Sequence, residues 1–165
     1  MRLLHLSVAL ALALLLAGCG GDARVNYQRD LSEAGATVAA ALDKLPRDET
    51  TTVTPAQLHG LADQLRDASG DIEGLDAPDD AVQKAQDQLG SGLKGVAEAF
   101  DGLADDLDGA VDDDAKAELF VAFASDTKID AAFADISEAQ SKYAAAGFHV
   151  FGTGATPAGV ATTAK

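Results

Sequence analysis

Hydrophobic side chains recur every three or four residues through four segments of the chain, which is the spacing of amphipathic helices. The first segment predicts a helix over residues 25–45, ended by Pro46, because the residue before a proline is disfavoured in the helical conformation. The polar stretch 47–53 then predicts a loop. The apolar positions of this first helix are Tyr27, Leu31, Ala34, Val38, Ala41 or Leu42, and Leu45.

The second predicted helix begins with a capping sequence. In Thr54-Pro55-Ala56-Gln57, the threonine hydroxyl and the glutamine side chain can form a capping box, and the proline occupies the first helical position. The segment 76–80 contains a proline and three aspartates and predicts a tight break before the third helix. The apolar positions between these signals are Leu58, Leu61, Leu65, Ala68, Ile72 and Leu75.

The third predicted helix extends to about residue 110 and the fourth covers about 115–146, with Gly147 as the residue that ends it. Gly90, Gly92 and Gly95 each cost roughly 1 kcal/mol relative to alanine, which indicates either the close approach of a neighbouring helix or a kink. Residues 125–127 interrupt the composition of the fourth segment, but its apolar spacing continues through them, so we expect one helix, straight or bent. Its apolar positions are Ala115, Leu119, Ala122 or Phe123, Ile129, Phe133, Ile136 and Tyr143.

Four amphipathic helices with short loops predict an all-α fold, an up-down antiparallel four-helix bundle with a disordered C-terminal tail. The expected organisation is a signal peptide at 1–18, a tether at 19–24, the bundle at 25–147 and a flexible tail at 148–165. Residues 148–151 are apolar enough to fold back on the last helix, whereas the Gly, Ala, Thr and Pro of 152–165 favour disorder.

The N-terminal residues have the layout of a secretory signal: Arg2, an apolar run at 6–15, and small residues leading to the only cysteine, Cys19. Leu16-Ala17-Gly18-Cys19 resembles the lipobox of bacterial lipoproteins. The resemblance implies cleavage between Gly18 and Cys19 and lipidation of Cys19 with two or three acyl chains, which give a durable membrane anchor. The alternatives are a secretory signal with an incidental cysteine and a transmembrane helix, for which the apolar run falls short of the ~20 residues required.

The formal net charge of −15 in 165 residues limits the partners of the chain. It argues against nucleic acid, whose phosphates are bound by Lys and Arg, and against lying flat on an anionic membrane leaflet. We therefore expect the folded domain to stand off the membrane on its lipid. Gly20 after the cysteine resembles a sorting signal that is not of the aspartate type retained at inner membranes. In a cell with two membranes, the outer membrane is therefore an alternative location.

Acidic side chains follow one face of the third predicted helix towards its C-terminus, and we call them the acidic stripe. Because the last two predicted helices are longer than the first two, this end overhangs by roughly 15–20 Å and points away from Cys19. Three phenylalanines at the same tip either form an apolar patch for a partner or close the bundle against one another. The stripe consists of Glu98, Asp101, Asp105, Asp108 and Asp112, and the phenylalanines are Phe100, Phe120 and Phe123.

The acidic stripe is either a solvated surface, a site for a divalent cation such as Ca²⁺, or a surface for a basic partner. His59 and Asp63, four residues apart, form a weaker metal pair, since a structural zinc site needs about four ligands. The chain has no G-x-S-x-G, phosphate-loop or H-E-x-x-H motif and no cofactor signature. We therefore expect no catalytic residue, no bound metal and no cofactor.

These observations predict a lipid-anchored extracytoplasmic lipoprotein with a non-catalytic binding or structural role at the cell envelope. Its expected partners are the membrane, through the lipid, and an envelope protein or cationic ligand of unknown identity, with no nucleic acid. The alternatives are a divalent-cation-binding lipoprotein that uses the acidic stripe and a small envelope enzyme of unrecognised type.

Overall fold

The computed structural model of this chain describes residues 3–44 and 53–151, and these contain five helices. No strand occurs in either range, so the predicted all-helical class is confirmed. The helices are α1 (Leu3–Leu42), α2 (Pro55–Glu73), α3 (Asp80–Gly109), α4 (Asp113–Phe123) and α5 (Thr127–Ala145).

The fourth predicted helix is in fact two helices, so the expectation of one helix through 125–127 was wrong. α4 ends where the N–H of Ala124 donates to carbonyls of its last turn. Two residues later the Asp126 carboxylate accepts from Lys128 N at 2.8 Å and caps α5. A side-chain acceptor at this position satisfies an N–H that would otherwise have no partner at a helix start, so the chain turns here without breaking its apolar spacing.

α1 is longer at its N-terminus than the sequence predicted. It continues through residues 19–24, which were expected to form a tether. Helix propagation adds one hydrogen bond per residue once a helix exists, and this offsets the low propensity of Gly20 and Gly21. In the described residues, no helix combines the length and the hydropathy needed to cross a bilayer. The predicted end at Leu45 and Pro46 lies outside the described residues.

The helices pack in sequence order: α1 on α2, α2 on α3, and α3 on both α4 and α5. α2 and α3 are antiparallel, since Glu73 near the end of α2 pairs with Lys94, whereas His59 near its start pairs with Asp101. The core shared by α1, α2 and α3 contains large aliphatic side chains, which include the fully buried Leu31, Leu65, Ile72 and Leu89.

Two of the three clustered glycines let α5 approach α3 closely. A Cβ added at Gly92 would lie 2.7 Å from Ile136 Cγ1, and one at Gly95 would lie 3.0 Å from Ala132 Cβ. α3 runs unbroken from Asp80 to Gly109. The interpretation as a close helix contact is therefore confirmed for these two positions.

Phe133, predicted as a core position of the last helix, is 46% exposed. The buried residues of α5 step by three and four residues, and this places Phe133 at the edge of the buried face instead of its centre. They are Ile129, Ala132, Ile136, Ala139 and Tyr143.

The segment after α5 packs against α1, so the predicted tail does not begin at residue 148. Gly147, with φ of 82°, turns the chain as expected of a residue that ends a helix. Phe148 and Val150 are then buried, and the Gln28 side chain pairs with both the N–H and the carbonyl of His149. Their burial on α1 offsets the entropy lost by ordering these residues. The predicted disorder of 152–165 lies outside the described residues.

Buried polar groups link α1, α2, α3 and α5 at this same end. Tyr27 Oη lies 2.8 Å from Gln86 Oε1 and 2.9 Å from Tyr143 Oη. Gln86 Nε2 in turn donates to the carbonyls of Glu73 and Leu75 at the end of α2. No buried side-chain polar atom of the described residues lacks a partner, so this network has the satisfied hydrogen bonds of a structural element.

Candidate functional site

Part of the acidic stripe faces α2 and is neutralised there. Asp101 Oδ1 lies 2.8 Å from His59 Nδ1, and its other carboxylate oxygen accepts from Arg66. His59 Nε2 is 3.7 Å from Asp105 Oδ1. Arg66 also contacts Asp63 at 3.2 Å. These residues form an ion-pair cluster between α2 and α3 instead of a free acidic surface.

The cluster shifts the pKa of both of its central groups. Desolvation acts to raise the pKa of Asp101, but the hydrogen bonds from Arg66 and His59 together outweigh it, and the pKa falls below its ordinary value. The hydrogen bond to Asp101 raises the pKa of His59, and the charges of Asp105 and Asp108 add to this effect. The cluster is largely exposed, so each pair contributes little to stability.

The other members of the stripe have separate positions. Asp112 lies beyond the end of α3, and its Oδ1 accepts from Ala115 N at 2.8 Å, which caps α4. Asp108 is exposed on α3, and Glu98 faces α4 and α5 instead of α2. The five carboxylates therefore do not form one continuous surface, because α3 ends at Gly109 and its neighbours lie on two sides.

The described residues contain no group of three or more His, Cys, Asp or Glu side chains that could hold a metal ion. The proposed metal pair is not formed either: the His59 ring pairs with Asp101 on α3, and Asp63 pairs with Arg66. The carboxylates of the stripe thus have different surroundings: Asp101 and Asp105 belong to the ion-pair cluster, Asp112 caps α4, Asp108 is exposed, and Glu98 faces α4 and α5.

An open groove lies on the described part of the molecule, on the side of α3 away from α2. It lies between α3, α4 and α5 and has a volume of about 660 Å³. Its floor is formed by small and apolar side chains, which include Gly95, Ala99, Gly102, Leu103, Leu119, Ala122 and Phe123. Its rim carries Glu98 and Asp106 on α3, Asp126 before α5, and Lys128 and Asp135 on α5.

The local sequence explains why the groove is open. Ser91, Gly95, Ala99 and Gly102 recur every three or four residues on one side of α3, so this side presents little bulk to its neighbours. A Cβ added at Gly102 would meet nothing within 4 Å. On either side of the turn at residues 124–126, α4 and α5 both border this face of α3. Between them they leave a channel whose base is small side chains.

α4 is attached to the bundle by only part of its surface. None of its residues is buried, and its principal ring contact is Phe123 on Phe100, with centroids 5.6 Å apart. Phe100 is buried, while Phe120 and Phe123 are partly buried against the core. The three rings therefore contribute to closing the tip, and Phe123 also lines the groove.

A second open depression continues the groove towards the end of α3. Asp106, Leu119 and Ala122 line both, and the second is bordered further along by Gly109 and Glu118. The combined surface follows α3 from Ser91 to Gly109, which corresponds to roughly 27 Å at the rise of an α-helix. It is elongated and open to solvent.

The surroundings of the groove are strongly acidic. Residues 98–128 contain ten acidic and two basic side chains. In the described part of the chain, the carboxylates of Glu98 and Asp106 have no hydrogen-bond or ion-pair partner. Their charges are therefore available to a molecule that enters the groove, in contrast to that of Asp101.

Of the predicted surface residues, the groove contains Glu98 and Phe123, and Asp105 borders the second depression. Sequence reasoning missed Asp106, Asp126 and Asp135. The available signal was the run of small residues on α3, which continues in helical register to Asp106 and so marks one open, acid-edged face.

Comparison with protein-family models, with curated proteins and with solved structures finds no match to this chain. We therefore infer the function from the sequence, the fold and the groove.

Proposed function

We propose that the chain is a lipoprotein that is anchored by Cys19 at the extracytoplasmic face of a membrane and acts by binding, without catalysis. The observation that carries the anchoring is Leu16-Ala17-Gly18-Cys19 at the end of an apolar N-terminal run. A thiol at this place takes the lipid, and two or more acyl chains hold a protein durably.

The arrangement of α1 is compatible with cleavage before Cys19. The core side chains described for α1 begin at Tyr27, eight residues after the proposed cleavage point. Removal of 1–18 would thus leave every core contact described for this helix. We propose that the remaining part of α1 joins α2, α3 and α5 in an up-down four-helix bundle, with α4 as an added helix at its tip.

The binding role is supported by the groove between α3, α4 and α5. It is open, it has an apolar base, and two of its carboxylates have no partner in the described residues. The ion-pair cluster of His59, Arg66 and Asp101 lies elsewhere, between α2 and α3, and its groups already neutralise one another. The groove is therefore the better candidate for contact with another molecule.

Replacement of the cysteine tests the anchor. Cys19→Ser should leave the protein uncleaved or released from the membrane, and without lipid mass. Ala23→Ser, which introduces the same hydroxyl at an exposed position outside the lipobox, should be processed and membrane-bound like the wild type. A Cys19→Ser protein that is processed and fractionates with membranes as the wild type does would refute the lipoprotein assignment.

A further inference from the structure

We propose that the groove between α3, α4 and α5 binds a basic amphipathic helix of a protein partner. This inference rests on the proposed binding function and specifies its partner. The helix would place its apolar face on the floor and its Lys and Arg side chains on the acidic rims.

The shape of the groove favours a helix over a small ligand. Its floor on α3 presents Ala99 and Gly102, and a Cβ added at Gly102 would meet nothing within 4 Å, so a second helix can lie close to the backbone there. At Gly95 the corresponding space is filled by Ala132 of α5. With the adjoining depression it follows α3 for roughly 27 Å, the length of an 18-residue helix. Grooves of this kind take helices through apolar side chains spaced three and four residues apart.

The charges determine which helix fits. Glu98 and Asp106 on one rim have no partner in the described residues, and Asp126 and Asp135 stand on the other beside Lys128, so carboxylates outnumber the basic side chain on the rims. Asp126 accepts from the first turn of α5 and Asp135 from Gln88, but neither has an ion-pair partner in this part of the structure. Lysines on both edges of a bound helix would supply these pairs, whereas an acidic helix would be repelled.

The probe is a synthetic helical peptide of about 18 residues, with Leu and Ala on one face and Lys on the other. Its matched control has Glu in place of every Lys. Binding is followed by fluorescence anisotropy with the full protein, taken from membranes in non-ionic detergent, or from the soluble fraction if Cys19 proves unmodified. The result is thus independent of the anchor. Failure of the helix-binding proposal is therefore distinguishable from failure of the lipoprotein proposal.

Two variants alter the groove, and each has a matched control. Gly102→Leu fills the open floor, and Gly70→Leu adds the same side chain at an exposed α2 glycine that also has nothing within 4 Å. Glu98→Gln with Asp106→Asn removes two rim charges, and Asp67→Asn with Asp71→Asn removes two exposed charges of α2. Melting curves confirm that each variant is folded.

We expect the basic peptide to bind, with affinity reduced about tenfold or more by either groove variant and less than about twofold by either control. The rim variant should also show a smaller loss of affinity between about 50 and about 300 mM salt than the wild type shows. Absence of binding would overturn the proposal, and so would equal binding of the acidic peptide. Equal weakening by both charge pairs, with no effect of Gly102→Leu, would show attraction to net charge alone and would also overturn it. If Gly102→Leu fails to fold, Gly102→Gln replaces it with the same expected loss.

Discussion

At the scale of single residues, the glycines of α3 divide into two kinds that the sequence does not distinguish. Gly92 lies against α5, where an added Cβ would come within 2.9 Å of the Ala132 carbonyl oxygen. Gly102 lies on the floor of the groove with nothing within 4 Å. The first glycine is required by packing, whereas the second lies beside open space in the groove.

Alanine at these two positions should have opposite effects on stability. Gly102→Ala should raise the free energy of unfolding by up to about 1 kcal/mol, since alanine favours the helix and meets no obstruction. Gly92→Ala should lower it by about 1–3 kcal/mol, because the backbone of α5 must move. Urea unfolding of both variants measures the difference. Equal effects would mean that α3 and α5 are not in close contact.

The pairing of His59 with Asp101 predicts a pH-dependent contribution to stability. The folded-state pKa of His59 is raised above 6.5, so its contribution is fully present below about pH 6.5 and is lost as the pH rises through the folded value. The lowered pKa of Asp101 acts in the other direction: its contribution is present above its ordinary pKa and is lost in acid.

We therefore expect His59→Gln to lower the melting temperature at about pH 5.5 and to have little effect at about pH 8.5. His149→Gln is the control, because this exposed histidine is held through its backbone atoms by Gln28. The difference in melting temperature between His149→Gln and the wild type should be the same at both pH values. A His59→Gln effect that does not change with pH would show that the pair is not formed in solution.

At the scale of elements, apolar periodicity predicted the helices well and their boundaries less well. The capping box at Thr54 and the glycine at 147 are present as the sequence indicated. The division between α4 and α5 was missed, because Asp126 can turn the chain while the apolar spacing continues on both sides. Periodicity reports which face is buried, but a cap depends on one side chain and its local backbone.

The packing of residues 148–151 was also only partly predictable. Their alternation of buried Phe148 and Val150 with exposed His149 is visible in the sequence, but four residues are too few to identify a surface that receives them. That surface exists because α1 has a glycine at position 35, and a Cβ there would overlap the Val150 carbonyl. The contact therefore depends on two segments far apart in the chain.

Gly35→Ala should displace this segment from α1. In the wild type the His149 amide donates to Gln28. We expect faster hydrogen exchange at this amide in the variant, and a lower free energy of unfolding. Gly60→Ala adds a methyl group to α2 where nothing lies within 4 Å, and it should not change exchange at His149. Unchanged exchange in Gly35→Ala would contradict the docking of 148–151 on α1.

At the scale of the whole molecule, the two ends of the helical domain have different chemistry. Near the start of α3, Arg24 of α1 pairs with Asp79, donates to the Ala146 carbonyl and covers the Phe148 ring. Arg24, at this end of the domain, follows Cys19 by five residues in the chain. The centre of the groove, at Ala99, lies roughly 28 Å further along α3. A lipid on Cys19 would thus leave the acidic groove directed away from the membrane.

The candidate site was less predictable than the fold, because it depends on how separate helices meet and not on the pattern within one segment. The sequence identified an acidic, aromatic end, and Glu98 and Phe123 do line the groove. It did not separate Asp101, which pairs with α2, from Asp106, which has no partner in the described ranges. That distinction depends on which neighbouring helix each side of α3 meets.

The intact mass of the protein isolated from cell membranes tests the lipoprotein assignment, because it reports cleavage and lipidation together. We expect a chain that begins at Cys19 and carries the added mass of a thioether-linked diacylglycerol. Recovery of the uncleaved 165-residue chain at 16.8 kDa, or of a chain with an unmodified Cys19, would contradict it.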